Sequence, residues 1–273
     1  MTKNLTSRIV ILICVLFCFS FQTDNDWKDM TSKDVAALFA KYPTKKSNLG
    51  PSDVEWDNPV YKSIADTVLH YPVCVFMIYT KQHQLEQDSL QKAEANKGNK
   101  KVRTGILSTW HCVPGQPNVI PVYAEANNEI GKSHTIYEIV FGHVQAWILC
   151  AYSPIAAIFS NVPDFNAGME YQGQNIGTEI WTETHTRYLI DKYDSIYIWG
   201  GCVGSKAKYT HKGITVTVPE YYWKIIKYGN NTECWLMPNS PSEGYDMITQ
   251  RVSTVDNLID KLKFDPTKVL NQN

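Results

Sequence analysis

The stretch Asp194-Ser195-Ile196-Tyr197-Ile198-Trp199-Gly200-Gly201 is rich in β-branched and aromatic residues and closes on a glycine pair. Segments of the same character follow at Gly213 to Pro219, Tyr222 to Tyr228 and Cys234 to Met237. The intervals between them are mostly too short to hold crossover helices, which favours an antiparallel or mixed sheet. On the amino side, Asn175 to Ile190 has the length and composition of a helix. On the carboxyl side, Ser253 to Lys263 reads as a closing helix with Ser253 or Thr254 as its N-cap.

Further upstream, Tyr71 to Tyr79 is expected to be the first strand of the sheet. Val119 to Ala124 and Ser133 to Phe141 are read as additional strands, and Trp147 to Phe159 is an apolar stretch around Pro154. Residues 81–103, rich in Gln, Lys, Glu and Asn, suit a solvated helix or long loop, with Lys97 to Arg103 as a candidate basic arm for phosphate. A short helix is expected around Thr31 to Tyr42. The fold class that results is α+β, with a central, largely antiparallel sheet flanked by helices.

A chain of 273 residues, 44% hydrophobic and 19% charged, lies outside the disordered range and suits one compact domain. Lys3 and Arg8 precede the apolar run Ile9 to Phe19, which is too short to cross a bilayer and has the length of a signal-peptide core. The expected organisation is a signal peptide at 1–20, an N-terminal extension at 21–69 and the main domain at 70–270. The mature chain, cut near Ser20, is then secreted or periplasmic, with no membrane segment of its own.

Loss of Lys3 and Arg8 makes the mature chain more acidic than the net −1 of the whole sequence. A broadly basic nucleic-acid-binding surface is thereby excluded, and any positive patch must be local. Cys74, Cys112, Cys150, Cys202 and Cys234 remain after the signal, an odd set whose pairing the sequence leaves open between disulfides and buried thiols. Asn230-Asn231-Thr232 is a glycosylation sequon, consistent with export.

Two elements carry candidate chemistry. His143 follows Gly142 at the end of a β-patterned run, where glycine lets the backbone turn and project the imidazole. In Asn175-Ile176-Gly177-Thr178-Glu179-Ile180-Trp181-Thr182-Glu183-Thr184-His185-Thr186-Arg187, the residues Asn175, Glu179, Glu183 and Arg187 advance four at a time and form a polar stripe on a helix. Trp181, Thr184 and Tyr188 are then expected opposite, against the core. A carboxamide oxygen and a carboxylate are hard ligands suited to Mg²⁺, which needs few protein ligands. A histidine plus one hard cation supplies what phosphodiester hydrolysis requires: a base for water and positive charge for the phosphate oxygens. His185 reads as a surface or capping residue. Tyr221, Tyr222 and Trp223, being contiguous, split between the two faces of a strand, so most of that aromatic content is core.

The run from Gly142-His143 through Ser160-Asn161, Asn175-Ile176-Gly177, Glu183 and Arg187 resembles the DNA/RNA non-specific endonuclease family, whose fold is a ββα-metal (His-Me finger) core. The strand ending in Gly200-Gly201, the run Val216 to Ile225 with Val218-Pro219, aromatics and Lys224, the turn Leu236-Met237-Pro238-Asn239, and the segments Val252 to Asp256 and Phe264-Asp265-Pro266 continue the likeness in order. The resemblance covers roughly residues 70 to 266 and makes the main domain nuclease-like.

The resemblance implies that His143 is the general base and that Asn175 is the direct protein ligand to Mg²⁺, with Mn²⁺ as an alternative. It further implies that Glu183 holds one of the ion's waters, and that Arg187 stabilises charge at the scissile phosphate. Glu179 is a further candidate beside the ion's waters. The implied substrate is DNA, RNA or both, cut with little sequence preference and leaving 5′-phosphates. The family's Asp-Arg-Gly-His is Val140-Phe141-Gly142-His143 here, so an acidic residue and a phosphate-binding arginine are missing. A nuclease fold that binds nucleic acid or a protein partner without cutting is therefore the second reading. Tyr152 competes with His143 for the site, but a phenol cannot serve as a base near neutral pH.

Overall fold

The computed structural model describes residues 26–96, 103–130 and 135–270. The expected signal peptide, and Lys97 to Lys101 of the basic arm, lie outside the described residues. An eight-stranded sheet runs in the order β1 (Lys45–Lys46), β2 (Asp53–Asp57), β3 (Lys62–Asp66), β4 (Tyr71–Thr80), β7 (Ser195–Val203), β10 (Tyr221–Tyr228), β11 (Asn231–Pro238) and β12 (Val252–Ser253). Every neighbouring pair in it is antiparallel. Two hairpin-like pairs lie outside it, β5 (Ile139–His143) with β6 (Ala167–Tyr171), and β8 (Ala207–His211) with β9 (Ile214–Val218).

The sheet is buried on both faces, and the strands show why. Val75, Met77 and Tyr79 of β4, Ile196 and Ile198 of β7, and Tyr222 and Ile226 of β10 enter the larger core. Cys74, Phe76, Trp199, Trp223 and Ile225, offset by one residue, enter a second core closed by Leu258 and Leu262. Helices α1 (Ser32–Phe39), α2 (Lys81–Asn96), α3 (Ile120–Ile130), α4 (Pro154–Ser160), α5 (Ile180–Ile190) and α6 (Val255–Leu262) surround the strands. The glycine pair in β7 has a packing reason. A Cβ on Gly201 would stand 2.3 Å from the Val73 carbonyl oxygen, and one on Gly200 would stand 2.8 Å from Val144 Cγ1.

Several expectations change. Tyr71 to Tyr79 is the fourth strand along the chain, because residues 45–66, within the expected extension, supply three strands that join the sheet through β3 and β4. Val119 to Ala124 is not a strand but leads into helix α3. Its buried residues Val119, Val122, Tyr123 and Ala126 follow a helical period, and Asn118 Oδ1 accepts from the Ile120 amide at 3.3 Å. Of Ser133 to Phe141, only Ile139 onward is strand among the described residues. The closing helix forms with Thr254 as its N-cap, its hydroxyl accepting from the Asn257 amide. All five cysteines among the described residues are free thiols. No helix among the described residues is long and apolar enough to cross a membrane.

Candidate active site

The site is assembled on β5, β6 and the helical run that follows them. His143, the last residue of β5, pairs with Ala167 of β6. The loop between the two strands is stitched to the end of β5 by Asn166. Its Oδ1 accepts from the Gln145 amide at 2.9 Å, and its Nδ2 donates to the carbonyls of Gln145 and Ser160. Deeper in the same loop, Asp164 accepts from His70 Nδ1 at 2.8 Å, with both side chains buried. These contacts hold Asn161 beside His143.

His143 is 8% exposed, and its Nε2 lies 3.1 Å from Asn161 Oδ1. Asn161 Nδ2 donates to the Leu107 carbonyl at 2.7 Å, and Arg103 Nη2 donates to the same Oδ1 at 3.1 Å. The carboxamide is therefore oriented, and Oδ1 is the acceptor for both neighbours. His143 must then carry its proton on Nε2, which leaves Nδ1 with the free lone pair. Burial, followed by the Arg103 guanidinium, lowers the imidazole to about 3, against the opposing effect of the Asn161 bond. The ring is thus neutral around pH 7.

The helical run after β6 departs from the regular helix expected over 175–190. Residues Asn175–Glu179 form a π turn, with Gly177 at φ −99°, ψ −106°, ahead of α5. A Cβ on Gly177 would meet the Glu243 carbonyl oxygen at 2.1 Å, so the kink requires glycine. A wide π turn advances each residue by less than the α-helical angle. Asn175 and Glu183 thus stand on either side of the Gly177 kink rather than on one continuous stripe. The core face is also not the one expected: Thr182, Thr186, Leu189 and Ile190 are buried, while Tyr188 is 55% exposed and Thr184 is exposed.

Glu179 is 1% exposed and forms a buried ion pair with Lys224 of β10, which also donates to Thr182 Oγ1 at 3.0 Å. It is therefore committed to a protein partner inside the core. Glu183 is half-buried, and its carboxylate has no hydrogen bond to a described residue. Burial, then Glu179, raises it to about 7, against the lowering fields of Lys224 and Arg103. The half-buried Asn175 carboxamide also makes no hydrogen bond to a described residue. A carboxamide oxygen and a carboxylate without a protein partner are the hard ligand types a divalent cation takes.

Arg187 points to helix α2, donating to Asp88 Oδ1 at 2.8 Å and Gln87 Oε1 at 3.1 Å. The guanidinium beside His143 is instead that of Arg103, whose field reaches both His143 and Glu183. In the sequence Arg103 stands only as the end of a basic arm, and Asn161 has no role of its own. Tyr152 lies elsewhere, stacked on His83 at 4.0 Å with its hydroxyl toward the Pro59 carbonyl. His185 is half-buried, bonded to Glu233 at 2.7 Å and stacked on Trp181.

Two comparisons with known proteins find matches. Residues 161–269 match the model of the DNA/RNA non-specific endonuclease family, a span that begins at Asn161 and includes Asn175, Glu183 and Arg187. His143 lies upstream of it. The chain superposes on a chain from the crystal structure of the EndoG/EndoGI complex with a TM-score of 0.56 and 13% identity, covering 86% of this chain and 91% of that one. No curated protein matches the chain. The large antiparallel sheet with its appended strand-strand-helix unit is the ββα-metal fold shared with that crystal-structure chain. Over residues 161–269, less than half of its length, the chain is similar to the DNA/RNA non-specific endonuclease family.

Proposed function

We propose that this protein is a metal-dependent endonuclease that hydrolyses phosphodiester bonds of DNA, RNA or both with little sequence preference, leaving 5′-phosphates. The observation that carries the proposal is the shared carboxamide of Asn161, which orients His143 and Arg103 around one point. His143 Nδ1 takes the proton from an attacking water, while Asn161 fixes the tautomer that keeps this nitrogen free. Arg103 neutralises the non-bridging oxygens, and Arg187 adds charge once it exchanges Asp88 for phosphate. Asn175, together with Glu183, would hold Mg²⁺ or Mn²⁺, which would supply positive charge to the departing 3′ oxygen. Low sequence preference follows if contacts fall on phosphate and sugar, which carry no base information. Export after cleavage near Ser20 belongs to the same proposal.

The deciding experiment incubates purified protein with supercoiled plasmid and with RNA, in Mg²⁺ and then in chelator. Cutting that needs the metal and falls about 10²- to 10⁴-fold in His143→Ala, with Tyr152→Phe unaffected, supports the assignment. A His143→Ala protein that cuts at the wild-type rate removes it.

One observation favours the second reading, a nuclease fold that binds without cutting. The Trp110 ring packs on His143 with centroids 4.7 Å apart, covering part of the imidazole. A gel shift in chelator without cleavage in Mg²⁺ would establish it.

A further inference from the structure

Phe141 stands where the family pattern has its phosphate-binding arginine, two residues before His143 and so on the same side of β5. Its ring is part of a ladder. Tyr123 stacks on it with centroids 3.6 Å apart and planes 22° apart, and Trp110 stacks on it at 4.3 Å and 26°. Trp110 extends over His143 as well, and the Arg103 guanidinium lies 5.8 Å from the Trp110 ring. Tyr123 is buried, whereas Phe141 and Trp110 are half-exposed. The ladder thus runs from the core to the surface and ends beside the candidate base.

We propose that Trp110, backed by Phe141, is a stacking platform for a nucleobase next to the scissile phosphate, and that the preferred substrate is nucleic acid with unpaired bases, in single-stranded DNA or RNA. The inference rests on the nuclease reading and narrows its substrate class. A base inside a duplex has both faces covered by its neighbours, whereas an unpaired base presents a face to a protein ring. The ladder fixes the plane of Trp110 in advance, so little conformational freedom is lost when a base docks.

The charge of the chain points the same way. A net −1 gives little general attraction for the dense phosphates of a duplex, so affinity must come from short-range contacts. Replacing a phosphate-gripping arginine by a ring, with Arg103 supplying the local cation, exchanges a grip suited to any backbone for one suited to exposed bases.

The test compares one sequence as a single-stranded oligonucleotide and as a duplex, for wild type, Trp110→Leu and Trp110→Tyr. Leucine keeps apolar cover over His143 but has no stacking face, and tyrosine keeps the face. Cleavage is followed in Mg²⁺, and binding is followed by fluorescence anisotropy in chelator. Wild type is expected to favour the single strand in both measurements. Trp110→Leu should lose about tenfold in kcat/KM and in affinity on the single strand, with less than about a twofold change on the duplex and an unaltered pH profile. Trp110→Tyr should recover most of the loss. Equal use of duplex and single strand, or an equal loss on both in Trp110→Leu, overturns the platform. If neither substrate is cut but single-strand binding still depends on Trp110, the nuclease reading fails while the platform stands.

Discussion

Glu170 fills the space where a side chain on Gly142 would stand: a Cβ there would lie 1.9 Å from Glu170 Oε2 and 2.4 Å from Glu170 Cβ. The two residues are diagonal neighbours across the β5–β6 pair, since Gly142 faces Gly168 and Val140 faces Glu170. Glycine before His143 is therefore a packing requirement set by the opposite strand, besides any freedom it gives the backbone. Gly142→Ala is expected to push β5 off β6 and to cost about 2–4 kcal/mol in chemical denaturation, with activity lost in parallel. An alanine variant as stable as wild type would show that Glu170 moves aside freely.

Asn161 governs the protonation of His143. Asn161→Asp places a negative charge between His143 and Arg103, and an opposite charge favours the imidazolium. The wild-type ring, lowered to about 3, holds its base form throughout the mildly acidic range. In the aspartate variant the ring should titrate at or above the ordinary imidazole value of about 6.5, so activity falls on the acid side where wild type is still active. A pH–rate profile reads this directly, and overlapping acid limbs would refute it.

Glu183 links metal, pH and stability. Its carboxyl is raised from 4.5 to about 7, so the folded chain holds a proton that the unfolded chain has already released. The associated stability is present below 4.5 and is lost as pH rises through about 7. A cation that needs the carboxylate ionised competes with that proton. Thermal unfolding should therefore show Mg²⁺ raising the Tm more at about pH 8 than at about pH 5.5. Glu183→Gln should abolish the difference, and an equal Mg²⁺ effect at both pH values would separate Glu183 from the ion.

The Glu179–Lys224 pair is a buried charge pair rather than part of a solvent-facing stripe. Lys224→Met should cost about 3–5 kcal/mol, because it leaves Glu179 charged without its partner. The double variant Glu179→Leu, Lys224→Met should recover most of that loss. A double-mutant cycle in denaturant measures the coupling, and additive losses would count against a direct pair.

The sheet was legible because its strands are dense in β-branched and aromatic residues and their intervals are short. Residues 119–124 misled for a physical reason: a short apolar run satisfies both periods, and the helical one appears only when Ala126 is counted with Val119, Val122 and Tyr123. Spacing alone suggests one regular helix through Asn175 and Glu183, which the Gly177 kink interrupts, and it does not show which side faces inward. The π turn and the Gly177 kink are dictated by the close approach of the Glu243 carbonyl, which no local pattern announces. Arg103 escaped notice as a site residue because its partner Asn161 is distant in sequence, and long-range partners leave no periodic trace.

The two borders of the main sheet, Lys45–Lys46 and Val252–Ser253, are only two residues long, and both lysines are exposed. Rims this short, one of them a pair of exposed lysines, give a foreign chain little strand to zip onto, which disfavours fibril-like growth by edge recruitment.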